Sequence, residues 1–142
     1  MSETLPRRTT GTTTAADDPR TPIAVTLDTI AIVVFVAVGR RTHEQDPGFA
    51  GVMFTAAPFL IALAVGWFAL RAWNRPFGLL TGIGLWAIVM VGGMLLRNHV
   101  FDRGTAASFV IVAAAFTAAT LIGWRLIARL VDAIRLGRRA AS

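Results

Sequence analysis

The chain has 142 residues, 55% hydrophobic and only 15% charged, with a mean hydropathy of +0.63. Such a composition is too apolar for an ordinary soluble domain and reads as an all-α integral membrane protein. Cysteine is absent, which excludes disulfides, thiolate nucleophiles and Cys-ligated zinc or iron–sulfur sites. All fourteen cations are arginine, so Schiff-base chemistry, which needs a lysine amine, is excluded as well. The net charge of +6 belongs to arginines that act as topology signals and lipid contacts in so apolar a chain, and no nucleic-acid partner is expected.

Met1 to Pro22 form a polar stretch with seven threonines, three prolines and no apolar periodicity, which predicts a disordered tail. It lacks the early apolar run and small-residue cleavage site of a secretory signal. Four apolar segments follow, at 23–39, 49–70, 77–96 and 105–124, of 17, 22, 20 and 20 residues. A hydrocarbon core of ~30 Å takes about 20 helical residues, so each can span, the first only just. Connections of nine, six and eight residues force antiparallel neighbours, which predicts an up-down-up-down four-helix transmembrane bundle over residues 23–127.

Ten arginines flank one side (Arg7, Arg8, Arg20, Arg71, Arg75, Arg125, Arg129, Arg135, Arg138 and Arg139), against four on the other (Arg40, Arg41, Arg97 and Arg103). The positive-inside rule then puts both termini in the cytoplasm of a multi-pass cell-membrane protein. Trp67, Trp73 and Trp124 fall at the cytoplasmic boundary, where an indole keeps one wet edge.

Asp28 lies inside the first segment. Ten Val, Ile, Leu and Phe residues there contribute roughly −3 to −6 kcal/mol to insertion, against at most about +3 for the aspartate, so the segment still inserts. The carboxylate sits five residues from the cytoplasmic end, about 8 Å deep, within reach of water or of a snorkelling Arg71 or Arg125. It is either the coupling group of a proton-driven carrier or one half of a structural salt bridge.

Beyond Trp124, residues 125–142 place Arg125, Arg129, Asp132, Arg135 and Arg139 on one helical face and Leu126, Ile127, Leu130, Val131 and Ile134 on the other. This predicts a basic amphipathic helix along the inner leaflet, with anionic lipids as its partners.

A shift of 56 residues aligns Ala31-Ile32-Val33 with Ala87-Ile88-Val89, and Arg41, His43, Asp46 and Gly48 with Arg97, His99, Asp102 and Gly104. One residue out of that register, Gly66-Trp67 aligns with Gly123-Trp124. Two parallel hairpin repeats, related by an axis along the membrane normal, are the architecture this implies. They bring two polar turns to the outer face. Arg40, Arg41, His43, Asp46, Arg97, His99, Asp102 and Arg103 there either form a pseudo-symmetric site for an anion, head group or metal, or serve helix ends and turns. One histidine per turn falls short of a ligand cluster, so no metal or other cofactor is expected.

Small residues at four-residue spacing, Gly78 and Gly82 in the third span and Ala115, Ala119 and Gly123 in the fourth, mark expected helix seams or, on the lipid side, a face for a homodimer or membrane-protein partner. Pro58 predicts a kink in the second span.

The runs Val34-Phe35-Val36-Ala37-Val38-Gly39-Arg40-Arg41-Thr42-His43, Pro58-Phe59-Leu60, Gly66-Trp67, Arg71-Ala72-Trp73, Gly93-Met94-Leu95-Leu96-Arg97, Gly104-Thr105-Ala106, Ser108-Phe109-Val110 and Gly123-Trp124-Arg125 resemble an uncharacterised domain-of-unknown-function family. Its members are small four-span membrane proteins of actinobacteria and haloarchaea. The resemblance covers residues 23 to 127 and implies the architecture alone.

Three functional classes remain open to the sequence. A non-enzymatic accessory or structural membrane protein needs no polar centre, which fits spans built almost wholly of Ala, Val, Ile, Leu, Gly and Phe. A small proton-coupled transporter or channel would use Asp28. A membrane enzyme or redox carrier would need facing imidazoles or a nucleophile with its base. His43 and His99 lie beyond the span ends, and the accessory reading, not an enzyme, is the one expected.

Overall fold

The computed structural model describes residues 19–42, 48–100 and 107–140. Among these are five α-helices: α1 (Arg20–Thr42), α2 (Phe49–Ala69), α3 (Leu79–His99), α4 (Ala107–Leu121) and α5 (Gly123–Ala140). Four stretches are long and apolar enough to cross a bilayer, namely α1, α2, α3 and the run from α4 into α5. In lipid every backbone N–H and C=O must be satisfied within the segment, and the uninterrupted helix does this. Pro58, fully buried, lies within α2 without ending it.

Each of the four spans packs on its neighbours in sequence, most extensively α2 on α3, and α1 closes the ring against α4. The antiparallel order is fixed by side chains from opposite ends of the helices meeting in pairs. Asp28, early in α1, meets Trp67 at the end of α2, while Arg40 at the end of α1 meets Thr55 in the first half of α2. The interior holds two apolar clusters, one around Ile32, Phe59, Leu85 and Leu121, the other around Phe35, Val52, Met90 and Ala113. Phe35 stands edge-on to Phe59, 6.0 Å between ring centres at 87°, the geometry that sets a positive ring edge against a negative face.

The outer surface of the spans is apolar too: Phe54, Val65, Leu80, Val91 and Ile111 are all exposed. A bilayer is the medium in which that surface costs nothing.

The seams differ from the expected ones. The close contact between α2 and α3 rests on Gly66, Gly92 and Gly93. A Cβ on Gly93 would stand 2.5 Å from Phe59 Cδ1, and one on Gly92 3.2 Å from Ala62 Cβ. Gly78 is the N-cap of α3 rather than a seam residue. Gly82 does lie in a seam, where its Cβ would meet Arg125 Cδ at 2.7 Å. Ala115 and Ala119 are exposed, and Gly123 has open space around it. The buried residues of α4 are Ala113, Thr117 and Leu121. The reason is Arg125. It faces inward, and residues at four-residue steps before it share its face, whereas the Ala115 stripe is two residues out of step, roughly 160° around the helix.

Candidate functional site

Asp28 is buried completely, and so is Arg125. An unpaired carboxylate in such surroundings is costly, and a second charge lowers that cost only when both are fully hydrogen-bonded. Asp28 meets that condition in full and Arg125 with four of its five N–H groups. Arg125 presents its guanidinium end-on, with Nη1 donating to Asp28 Oδ1 and Nη2 to Oδ2, each at 2.8 Å. This two-pronged arrangement is the one for which the planar guanidinium is shaped. Two indoles complete the shell: Trp124 Nε1 donates to Oδ1 at 2.9 Å and Trp67 Nε1 to Oδ2 at 3.2 Å. Each carboxylate oxygen therefore accepts two hydrogen bonds.

Two more of the five guanidinium N–H groups are used as well. Nε donates to the carbonyl of Pro76 at 3.0 Å, and Nη1 donates again to the carbonyl of Leu121 at 2.7 Å. The Arg125 charge lies 4.3 Å from the ring centre of Trp124, over its face, where the π-system attracts a cation. The assembly draws on α1, α2, the connection before α3, α4 and α5. It ties three spans, and the connection leading into α3, to one point at one end of the bundle.

Three sequence expectations are corrected here. Arg125 is not on the wet basic face of the C-terminal helix but inside the bundle, because Asp28 needs a cation at its own depth. Arg71 is not its partner. It begins the α2–α3 connection in a left-handed conformation, φ 48°, ahead of a short 3-10 turn at Ala72–Asn74, and is exposed. Trp67, only 7% exposed, does not rest at a wet boundary, and like Trp124 it directs its N–H to the buried carboxylate, a stronger acceptor than a neutral carbonyl. The sequence carried a signal for the pair: they are the tryptophans of the repeated Gly-Trp.

At the other end, Arg40 Nη1 donates to Thr55 Oγ1 at 3.0 Å, crossing from α1 to α2. Arg97 crosses from α3 to α4 and lies over the Phe109 ring, 4.4 Å from its centre. His99 is exposed, with Nδ1 3.2 Å from the carbonyl of Leu95 in its own helix. His43, Asp46, Asp102, Arg103 and the side chain of Arg41 lie outside the described residues. Asp28 is at the opposite end of the bundle from Arg40, Arg97 and His99. Among the described residues no group of three or more histidine or acidic side chains could hold a metal ion.

α5 has a different surface. Leu126, Ile127, Leu130, Val131 and Ile134 are 39–64% exposed on one face, and Arg129, Arg135, Arg138 and Arg139 are exposed as well. The hydrogen-bond ladder runs through the joint with α4, Ile122 N to Ala118 O and Leu126 N to Ile122 O, both at 3.0 Å. The amphipathic helix is thus a direct continuation of a span.

A family model described as protein of unknown function (DUF3054) matches residues 25–128, and the chain belongs to that family. The match takes in the four spans, Asp28, both tryptophans of the cluster and Arg125. No curated protein and no solved structure matches the chain.

Proposed function

We propose that this DUF3054 protein is a non-enzymatic accessory membrane protein of the cell membrane, with both termini in the cytoplasm, which holds the basic amphipathic α5 against anionic inner-leaflet lipids. The observation that carries the reading is the closure of the Asp28 site. Asp28, buried within the first span, accepts four hydrogen bonds from Arg125, Trp67 and Trp124, so the cluster is built as a fastening. A carrier's coupling carboxylate must instead meet water and exchange its proton.

What the fastening secures is the start of α5. Arg125 is its third residue, and with that residue pinned inside the bundle the apolar face of the following turns is left outside, beside the boundary of a span. An apolar face opposite arginines is the pattern that binds anionic interfaces, each Arg near the surface contributing on the order of 1 kcal/mol. Ten arginines on the side of α5, against four on the other, support its cytoplasmic placement. The parallel-repeat reading has support as well. Trp67 and Trp124, one residue out of the 56-residue register, converge on one carboxylate.

The chain has no cysteine, which makes single-cysteine labelling direct. A nitroxide on Leu130→Cys in the reconstituted protein is expected to report burial in phosphatidylglycerol bilayers and shallower placement in neutral ones. Equal water exposure in both would overturn the lipid role. Proton flux in liposomes that disappears in Asp28→Asn would establish the carrier instead.

A further inference from the structure

A groove of about 480 Å³ runs between α1 and α2 near the Asp28 end, with Thr21, Val25, Leu60, Leu63, Trp67 and Trp73 among its lining. Its walls are almost wholly apolar, and its volume is about three times that of a ~150 Å³ apolar cavity that stays dry and admits benzene. From Thr21 to Thr29 it follows α1 for about 12 Å at 1.5 Å per residue. It is open along the outer side of two spans, so the medium beside it is lipid chain.

An unmet polar atom interrupts the apolar lining at the end where α1 begins. The Oγ of Thr21 is buried and has no hydrogen-bond partner among the described residues, which leaves a donor and its lone pairs unmet. Arg20, the chain neighbour of Thr21, is exposed with its guanidinium carbon 5.6 Å from the centre of the Phe77 ring, and Arg71, two residues before Trp73, is exposed as well. An apolar slot with an unmet hydroxyl at one end, and exposed cations close in the chain to its lining residues, matches a molecule with a long apolar body, an ester or phosphate oxygen at its head, and a negative charge.

We propose that this groove binds one anionic phospholipid from the leaflet facing α5. An acyl chain lies along Leu60, Leu63 and Trp67, a head-end oxygen accepts a hydrogen bond from Thr21 Oγ, and the phosphate sits near Arg20 and Arg71. The wall that Trp67 supplies is held in place by its bond to Asp28, so the slot is preformed and loses little entropy on filling.

The test is native mass spectrometry of the full chain in detergent, titrated separately with phosphatidylglycerol, phosphatidylcholine, oleate and inorganic phosphate. One phosphatidylglycerol is expected to bind at least tenfold more tightly than phosphatidylcholine, with oleate and phosphate weaker still. Ala64→Phe and Val25→Phe, which fill the groove from α2 and from α1 at exposed positions, should each reduce phosphatidylglycerol affinity tenfold or more with helical circular dichroism unchanged. Thr21→Val should reduce it about fivefold. Equal affinity in the wild type and whichever groove-filling variant keeps its helical signal overturns the site. Oleate binding as tightly as phosphatidylglycerol overturns the assignment to a phospholipid.

Discussion

At one end of the bundle four N–H donors converge on a single buried carboxylate, whereas at the other two half-buried arginines each reach to a neighbouring helix. Both ends are arginine-rich, yet only the first buries its charge. The difference follows from where the acid lies. Asp28 is completely buried, so it draws a guanidinium and two indoles inward, and the helices that carry them are rotated and joined by that demand. Arg40 and Arg97 are only half-buried, and their contacts include a hydroxyl and a ring face on the next helix. Small local contacts of this kind hold hairpins, while the carboxylate cluster holds the ring.

Removing one member of the ion pair should give the largest effect. Arg125→Met leaves Asp28 charged and buried, and a loss of about 3–5 kcal/mol is expected in equilibrium unfolding from detergent micelles. The double variant Asp28→Leu/Arg125→Met should recover most of that loss, since a well-packed apolar pair needs no solvation. A double variant as unstable as Arg125→Met would show that the cluster is more than a compensated charge. Next in size is Trp124→Phe, which keeps the ring and deletes one charge-assisted donor. About 1.5–3 kcal/mol should disappear in the same assay, and Trp67→Phe should follow at similar or smaller size because its bond is longer.

Gly82→Ala sharpens the comparison from the backbone side. Its new Cβ would come 2.7 Å from Arg125 Cδ, and because the guanidinium is held by its whole set of partners, about 1–3 kcal/mol of overpacking is expected. Alanine at Gly123, where no atom lies within 4 Å, should be neutral or stabilising. The smallest loss belongs to the opposite end. Arg97→Met keeps the side-chain length and removes the cation over Phe109, for about 0.5–1 kcal/mol measured by thermal unfolding.

Much of the fold was legible in the order of residues. Four apolar stretches joined by short polar connections lead to four spans, because lipid admits nothing but a closed hydrogen-bond ladder. The alternation in 125–142 likewise announced a helix of unequal faces. Asp28 stood out as the residue needing a partner, and Arg125 was among the two arginines named for it. The choice between Arg125 and Arg71 was beyond sequence, since it turns on the left-handed φ at Arg71 and on the helical phase of α4. Trp67 and Trp124 were read as boundary anchors because tryptophan at a span end is ordinarily that. Only folding brings two residues 57 apart onto one acid. The small-residue stripe of α4 shows the same boundary, for four-residue spacing marks a face without saying which way it turns.

By itself, then, the chain determined the medium, the number of crossings and the ends at which charge collects, for these follow from hydropathy and length summed along a segment. The tertiary structure alone decided which arginine is buried, how α4 is rotated, where glycines let helices touch, and that a slot opens beside Trp67. Those are properties of distances between residues far apart in sequence, and a buried charge, being costly wherever it is unmet, selects among them.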